Sequence, residues 1–181
     1  MSSPSTMQSG IVRAAAVMAP VGLFAYGALR WVDGRDGTHG PGLAWDLGHG
    51  AFLMSLVSFA TMAVAIALAT PRRSTYAAVV STLLGASLFV WVTIGDLFPG
   101  FKEAAGLPDL LMNVGPPLLV LGFVAALHLA ARAGTAPRYS APLALVGFAL
   151  IIVDLDLLPL AAVAHPAALA PLARRPRDRR A

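Results

Sequence analysis

The sequence contains no cysteine. Disulfides, thiolate metal centres and thiol redox chemistry are therefore excluded, and cysteine usage carries no information about compartment. Lysine is almost missing too, with Lys102 the only one. Histidine is sparse, and His39, His49, His128 and His165 show neither HExxH nor HxxxH spacing. A zinc hydrolase needs three or four convergent ligands, and a two-haem membrane cytochrome needs histidines paired at each level. Neither set is present. No nucleotide-binding, catalytic or transport motif can be read, and the residues call for no cofactor.

Charge is the most telling shortage. Only 12% of residues are charged, about half the share in an ordinary soluble domain. Basic residues outnumber acidic ones, thirteen to nine, and the pI is about 10.3. Their distribution excludes nucleic acid as the partner: five of the thirteen lie in the last eight positions, and most others flank apolar runs. Such residues set topology and meet anionic headgroups.

Apolar residues fill the space left by charge. They make up 57% of the chain, and the mean hydropathy is +0.74. Charges bracket the apolar runs: Arg13 and Arg30 enclose 16 residues, Asp46 and Arg72 enclose 25, Arg73 and Asp96 enclose 22, and Asp109 and Arg132 enclose 22. A helix rising 1.5 Å per residue needs about 20 residues to cross a bilayer, so four crossings follow directly. From Arg138 to Arg174 the only charges are Asp154 and Asp156, with 15 residues before the pair and 17 after it. Two short helices meeting at a turn over 154–159 are expected there, with Pro159, Pro166 and Pro171 weakening the last.

The reading is thus an all-α integral membrane bundle of six transmembrane helices, five plus a short sixth. Residues 1–10 are expected to form a disordered cytoplasmic N-terminus, 11–173 the transmembrane domain, and 174–181 a basic cytoplasmic tail. The first apolar run shows no clear cleavage site and reads as a retained helix. Six crossings with both termini inside put ten basic residues on the cytoplasmic side, against three outside; five crossings would put eight outside. Positive residues favour the cytoplasm, so six crossings of the cell membrane are expected.

An internal repeat agrees with this. A shift of 63 residues superposes Gly22 on Gly85, Asp33 on Asp96, Gly37 on Gly100 and Asp46 on Asp109. A further shift of 60 superposes DLFP at 96–99 on DLLP at 156–159. The chain reads as three tandem helical hairpins, each turning at the outer surface.

Under this topology the acids gather at the outer face. Asp46 and His49, three residues apart at the start of the second span, are the candidate metal ligands. Asp96, Asp109, Asp154 and Asp156 are candidates for an ion or proton site. The simpler readings are helix starts for Asp46 and Asp109, where a carboxylate suits the dipole, and an interfacial turn for Asp154 and Asp156. Asp33 and Asp96 sit at helix C-termini, where the dipole disfavours an anion, so capping does not account for them. NVGPP at 113–117 reads as a kink or a helix start. Gly22, Gly27, Ala60, Ala63 and Ala67 allow close helix approach.

The function expected is a non-enzymatic accessory or structural membrane component. The alternative is a small transporter or channel using the outer acidic site. The lipid bilayer is the expected partner, together with other membrane proteins or a second copy of the chain.

Overall fold

A computed structural model describes residues 4–173, with side chains from Gly10 onward. Residues 1–3 and the basic segment 174–181 lie outside the described residues. Among the described residues seven α-helices follow one another: α1 (Pro4–Asp33), α2 (Leu43–Ala69), α3 (Arg73–Leu97), α4 (Pro99–Ala105), α5 (Asp109–Arg132), α6 (Ser140–Val153) and α7 (Leu158–Ala173). Among the described residues there is no strand. α1 begins at Pro4, earlier than the run of apolar residues required.

The breaks have local causes. Gly37 ends the first helix segment in the left-handed region, at φ 83°, a conformation that costs glycine little. Gly134 does the same after α5, at φ 76°. There the Thr135 amide and hydroxyl both donate to the Ala130 carbonyl, at 2.9 and 3.0 Å, satisfying a terminal acceptor. Asp154 leaves α6 in an extended conformation, and its side chain accepts the Asp156 amide at 2.8 Å. Pro159 then falls at the second position of α7, where no helical N–H is needed. α5 continues unbroken through Pro116 and Pro117, so these prolines do not start the helix.

Among the described residues five helices are long and apolar enough to cross a membrane: Gly10–Asp36, Leu43–Ala69, Arg73–Leu97, Asp109–Arg132 and Leu155–Ala173. The short member is the fifth of the six expected spans, α6, rather than the last. Its 14 residues reach about 21 Å, below the roughly 30 Å of a hydrocarbon core. The last span gains length because the 3-10 turn Leu155–Leu157 runs directly into α7. Outward faces are apolar as well as inward ones: Val21, Val57, Leu68, Leu121 and Val163 are all exposed. A bundle apolar on both sides suits lipid rather than water.

The helices pack as three hairpins, α1 with α2, α3 with α5, and α6 with α7; α1 also meets α7, and α2 meets α3. The first two hairpins repeat each other in detail. A Cβ on Gly22 would strike Ser55 and the Ala51 carbonyl of α2. One on Gly85, the matching position, would strike the backbone of Gly115 and Leu119 on α5. Asp33 pairs with His39 at 3.1 Å, and Asp96 pairs with Lys102 at 3.4 Å. Both partners lie six residues on, and a 63-residue shift superposes them. The third hairpin keeps a close approach of its own, Gly147 of α6 against His165 of α7, but Asp156 pairs with Arg30 of α1 and not with a residue six positions on.

Candidate ligand cleft

Where the three hairpins meet, they enclose a cleft of about 440 Å³ lined by residues of α1, α2, α3, α5, α6 and α7. Fourteen of its eighteen lining residues are apolar. Leu23, Phe59, Val120 and Phe148 belong to the buried core as well, while the lining residues Ile152 and Leu155 are exposed and mark the mouth. The four polar lining residues are Tyr26, His49, Thr93 and Asp96. Both the volume and the single polar group of residues suit a small-molecule site.

α2 carries the imidazole. His49 is buried, and its Nδ1–H donates to the Trp45 carbonyl one turn back, at 2.9 Å. That bond fixes the ring and leaves Nε2 as an acceptor in the neutral form. Trp45 lies against one side of it, with ring centroids 4.1 Å apart, and Tyr26 meets it edge-on at 5.4 Å. Nε2 lies 4.0 Å from Asp96 Oδ2, beyond hydrogen-bond distance. With the imidazole neutral, two acceptors face each other across a gap that a shared donor would fill.

α3 carries the carboxylate, held at both its ends. The Trp45 indole N–H donates to the Asp96 backbone carbonyl at 3.2 Å, which satisfies a C-terminal acceptor of α3 from α2. Lys102 Nζ, on α4, stands 3.4 Å from Oδ1. A cation at this position offsets the dipole that disfavours an anion at a helix C-terminus. Thr93 turns its hydroxyl back to the Phe89 carbonyl at 2.8 Å, so its donor is already spent. Phe52 stacks on Tyr26 at 4.9 Å and meets Phe89 edge-on at 5.6 Å, forming the wall below the polar group.

The six candidate residues are thus split. His49 and Asp96 come together across two hairpins. Asp46 is exposed on the first turn of α2, and no ion pair or hydrogen bond among the described residues joins it to His49, whose nearest carboxylate partner is Asp96. Asp109 is exposed on the first turn of α5. Neither Asp46 nor Asp109 supplies a side-chain cap. Asp154 caps the 3-10 turn, and Asp156 Oδ1 lies 3.5 Å from Arg30 Nε on α1; both carboxylates are exposed at the turn. Among the described residues no three His, Asp or Glu side chains converge as metal ligands.

Sequence reasoning missed Tyr26 and Trp45 as site residues. Tyr26 offered a signal, being a hydroxyl inside an apolar run. Trp45 offered none, because its hydrogen-bond partner, the Asp96 carbonyl, lies on another hairpin. What fold and cleft define is an all-α helical bundle with five membrane-length apolar helices and an internal, mostly apolar cavity. The chain matches no family model, no curated protein and no solved structure.

Proposed function

We propose that the protein is a non-enzymatic, multi-pass component of the cell membrane that binds a small amphiphile between its hairpins. The chain of the ligand lies among Phe52, Phe59, Leu119 and Phe148, and its head group lies between His49 and Asp96. The observation that carries this is the cleft itself: an apolar cavity whose polar end presents two facing acceptors. An acceptor pair selects a donor head group, an alcohol or an amine, over a carboxylate, which would add a third acceptor beside Asp96. Burial of the chain supplies the affinity, at roughly 25 cal/mol per Å² before association costs.

Six crossings are part of the proposal, with the short α6 completing the third hairpin and the mouth of the cleft facing out. The charge count supports that orientation. The experiment is a thermal-unfolding series on the full chain in lipid nanodiscs, with dodecylamine, dodecanol and dodecanoate added in turn. A ligand that binds only the folded state raises Tm by mass action. The amine and the alcohol should raise it, the amine more, and the carboxylate should not. No shift with any of them, or the largest shift with dodecanoate, would reject the reading.

A second reading keeps the same two residues. The donor shared by His49 and Asp96 is then a proton in transit, as in a small transporter, and the pair supports it because an acid and an imidazole stand at the end of a cleft. Proton flux in liposomes that is abolished by Asp96→Asn would favour this second reading.

A further inference from the structure

A second cleft, of about 500 Å³, lies at the other end of the bundle, where α5 hands over to α6. Its lining is His128, Ala131, Arg132 and Arg138. His128 and Arg132 stand four residues apart, on one face of the last turns of α5. Arg138 is brought beside them by the loop that turns at Gly134 and is tied down by the two Thr135 bonds to Ala130.

Among the described residues the cluster has cations and no counter-charge. No carboxylate lines the cleft. Among the described residues, none of the four ion pairs involves His128, Arg132 or Arg138, and no hydrogen bond spends their side-chain donors. The remaining carboxylates of the described chain sit at the opposite ends of these helices: Asp109 begins α5, and Asp154 follows α6. Both guanidiniums are exposed and line the same cleft, and an anion seated between two such cations offsets their mutual repulsion. Their planar forks match the oxygens of a phosphate, each able to donate two parallel bonds.

Position narrows the source. α5 has 24 residues and so reaches about 36 Å, which carries Arg132 clear of the hydrocarbon from Asp109. The cleft then sits at headgroup depth, with the exposed Tyr139 ring next to Arg138 in the chain, as interfacial aromatics do. Basic pockets between helices at this depth hold anionic headgroups. We infer that this cleft is a phosphate seat, occupied by the headgroup of an anionic phospholipid. The inference is independent of the ligand proposed for the other cleft.

The test uses the full chain in a non-ionic detergent at fixed ionic strength, with phosphatidylglycerol, phosphatidylcholine or inorganic phosphate added. Phosphatidylglycerol should raise Tm by at least about 3 °C through binding to the folded state, and phosphatidylcholine by clearly less. The double variant Arg132→Gln/Arg138→Gln should lose that rise. Arg73→Gln, an exposed arginine outside the cleft, should keep it. An equal rise with inorganic phosphate would support the seat and make its ligand a free anion. Equal rises in the double variant and the wild type, or equal losses in the double variant and Arg73→Gln, would overturn the site in favour of unspecific surface charge. If the double variant does not fold, native mass spectrometry of the wild type decides. Retention of phosphatidylglycerol over phosphatidylcholine that is weakened by His128→Gln supports the seat, and no preference overturns it.

Discussion

Two buried imidazoles, one at the polar end of the central cleft and one in the core below it, are anchored in the same way and surrounded differently. His49 and His165 each donate Nδ1–H to the carbonyl four residues back, at 2.9 and 2.8 Å. His49 then points Nε2 toward Asp96 and the cleft. His165 is fully buried, and its Nε2 has no hydrogen-bond partner. Its ring packs against Phe148 at 4.7 Å and Phe59 at 5.5 Å, and Gly147 leaves no room for so much as a Cβ beside it. One histidine faces a space with chemistry at its edge; the other fills space. Burial of a titratable group therefore does not mark a site, and what the free ring nitrogen faces does.

The largest effect should come from the core. Phe59 meets Phe123, Phe148 and His165 at 5.0, 5.4 and 5.5 Å, so Phe59→Ala removes the ring on which three others converge. Equilibrium unfolding should show a loss of about 3–5 kcal/mol. His165→Ala should follow at about 2–4 kcal/mol. His165→Phe should change stability by less than about 1 kcal/mol, since it keeps the ring and removes an unpaired polar nitrogen. A His165→Phe variant as damaged as His165→Ala would mean that the imidazole's polar nitrogens, and not only its ring, hold the core together, and the contrast with His49 would be false.

The smallest effect belongs to the turn. Asp154→Asn with Asp156→Asn keeps the cap oxygen and loses one exposed ion pair to Arg30, for a change of about 0.5 kcal/mol. A cost above about 1 kcal/mol would place these carboxylates in the interior polar system with His49 and Asp96.

Much of this frame could be read from the chain because local physics sets it. Charged brackets gave four of the spans, with the ends of α2, α3 and α5 to within a turn, whereas α1 starts nine residues before Arg13. The Gly22 and Gly85 match found two of the points where helices touch, since only a missing side chain allows that approach. The turn at Asp154 followed from a carboxylate pair just before Pro159. The cleft was not legible, for a geometric reason. Sequence spacing reveals neighbours three or four residues apart, and so it offered Asp46 to His49. The true neighbour, Asp96, arrives with a different hairpin. Arg30 reaches Asp156 in the same way, from the first helix to the start of the last. The short α6 was misplaced to the end of the chain because the two halves of the final apolar stretch are nearly equal in length. A 3-10 turn, invisible to charge counting, lengthened the second.

The contrast between the two histidines leads to one decisive measurement. Dodecylamine is titrated into nanodiscs holding the wild type, Asp96→Asn or His165→Phe, and the rise in Tm is recorded for each. The cleft account predicts a rise in the wild type, the same rise in His165→Phe, and a rise reduced to near zero in Asp96→Asn, whose amide no longer offers a charge to an ammonium. A rise retained in Asp96→Asn, or lost in His165→Phe, would contradict it.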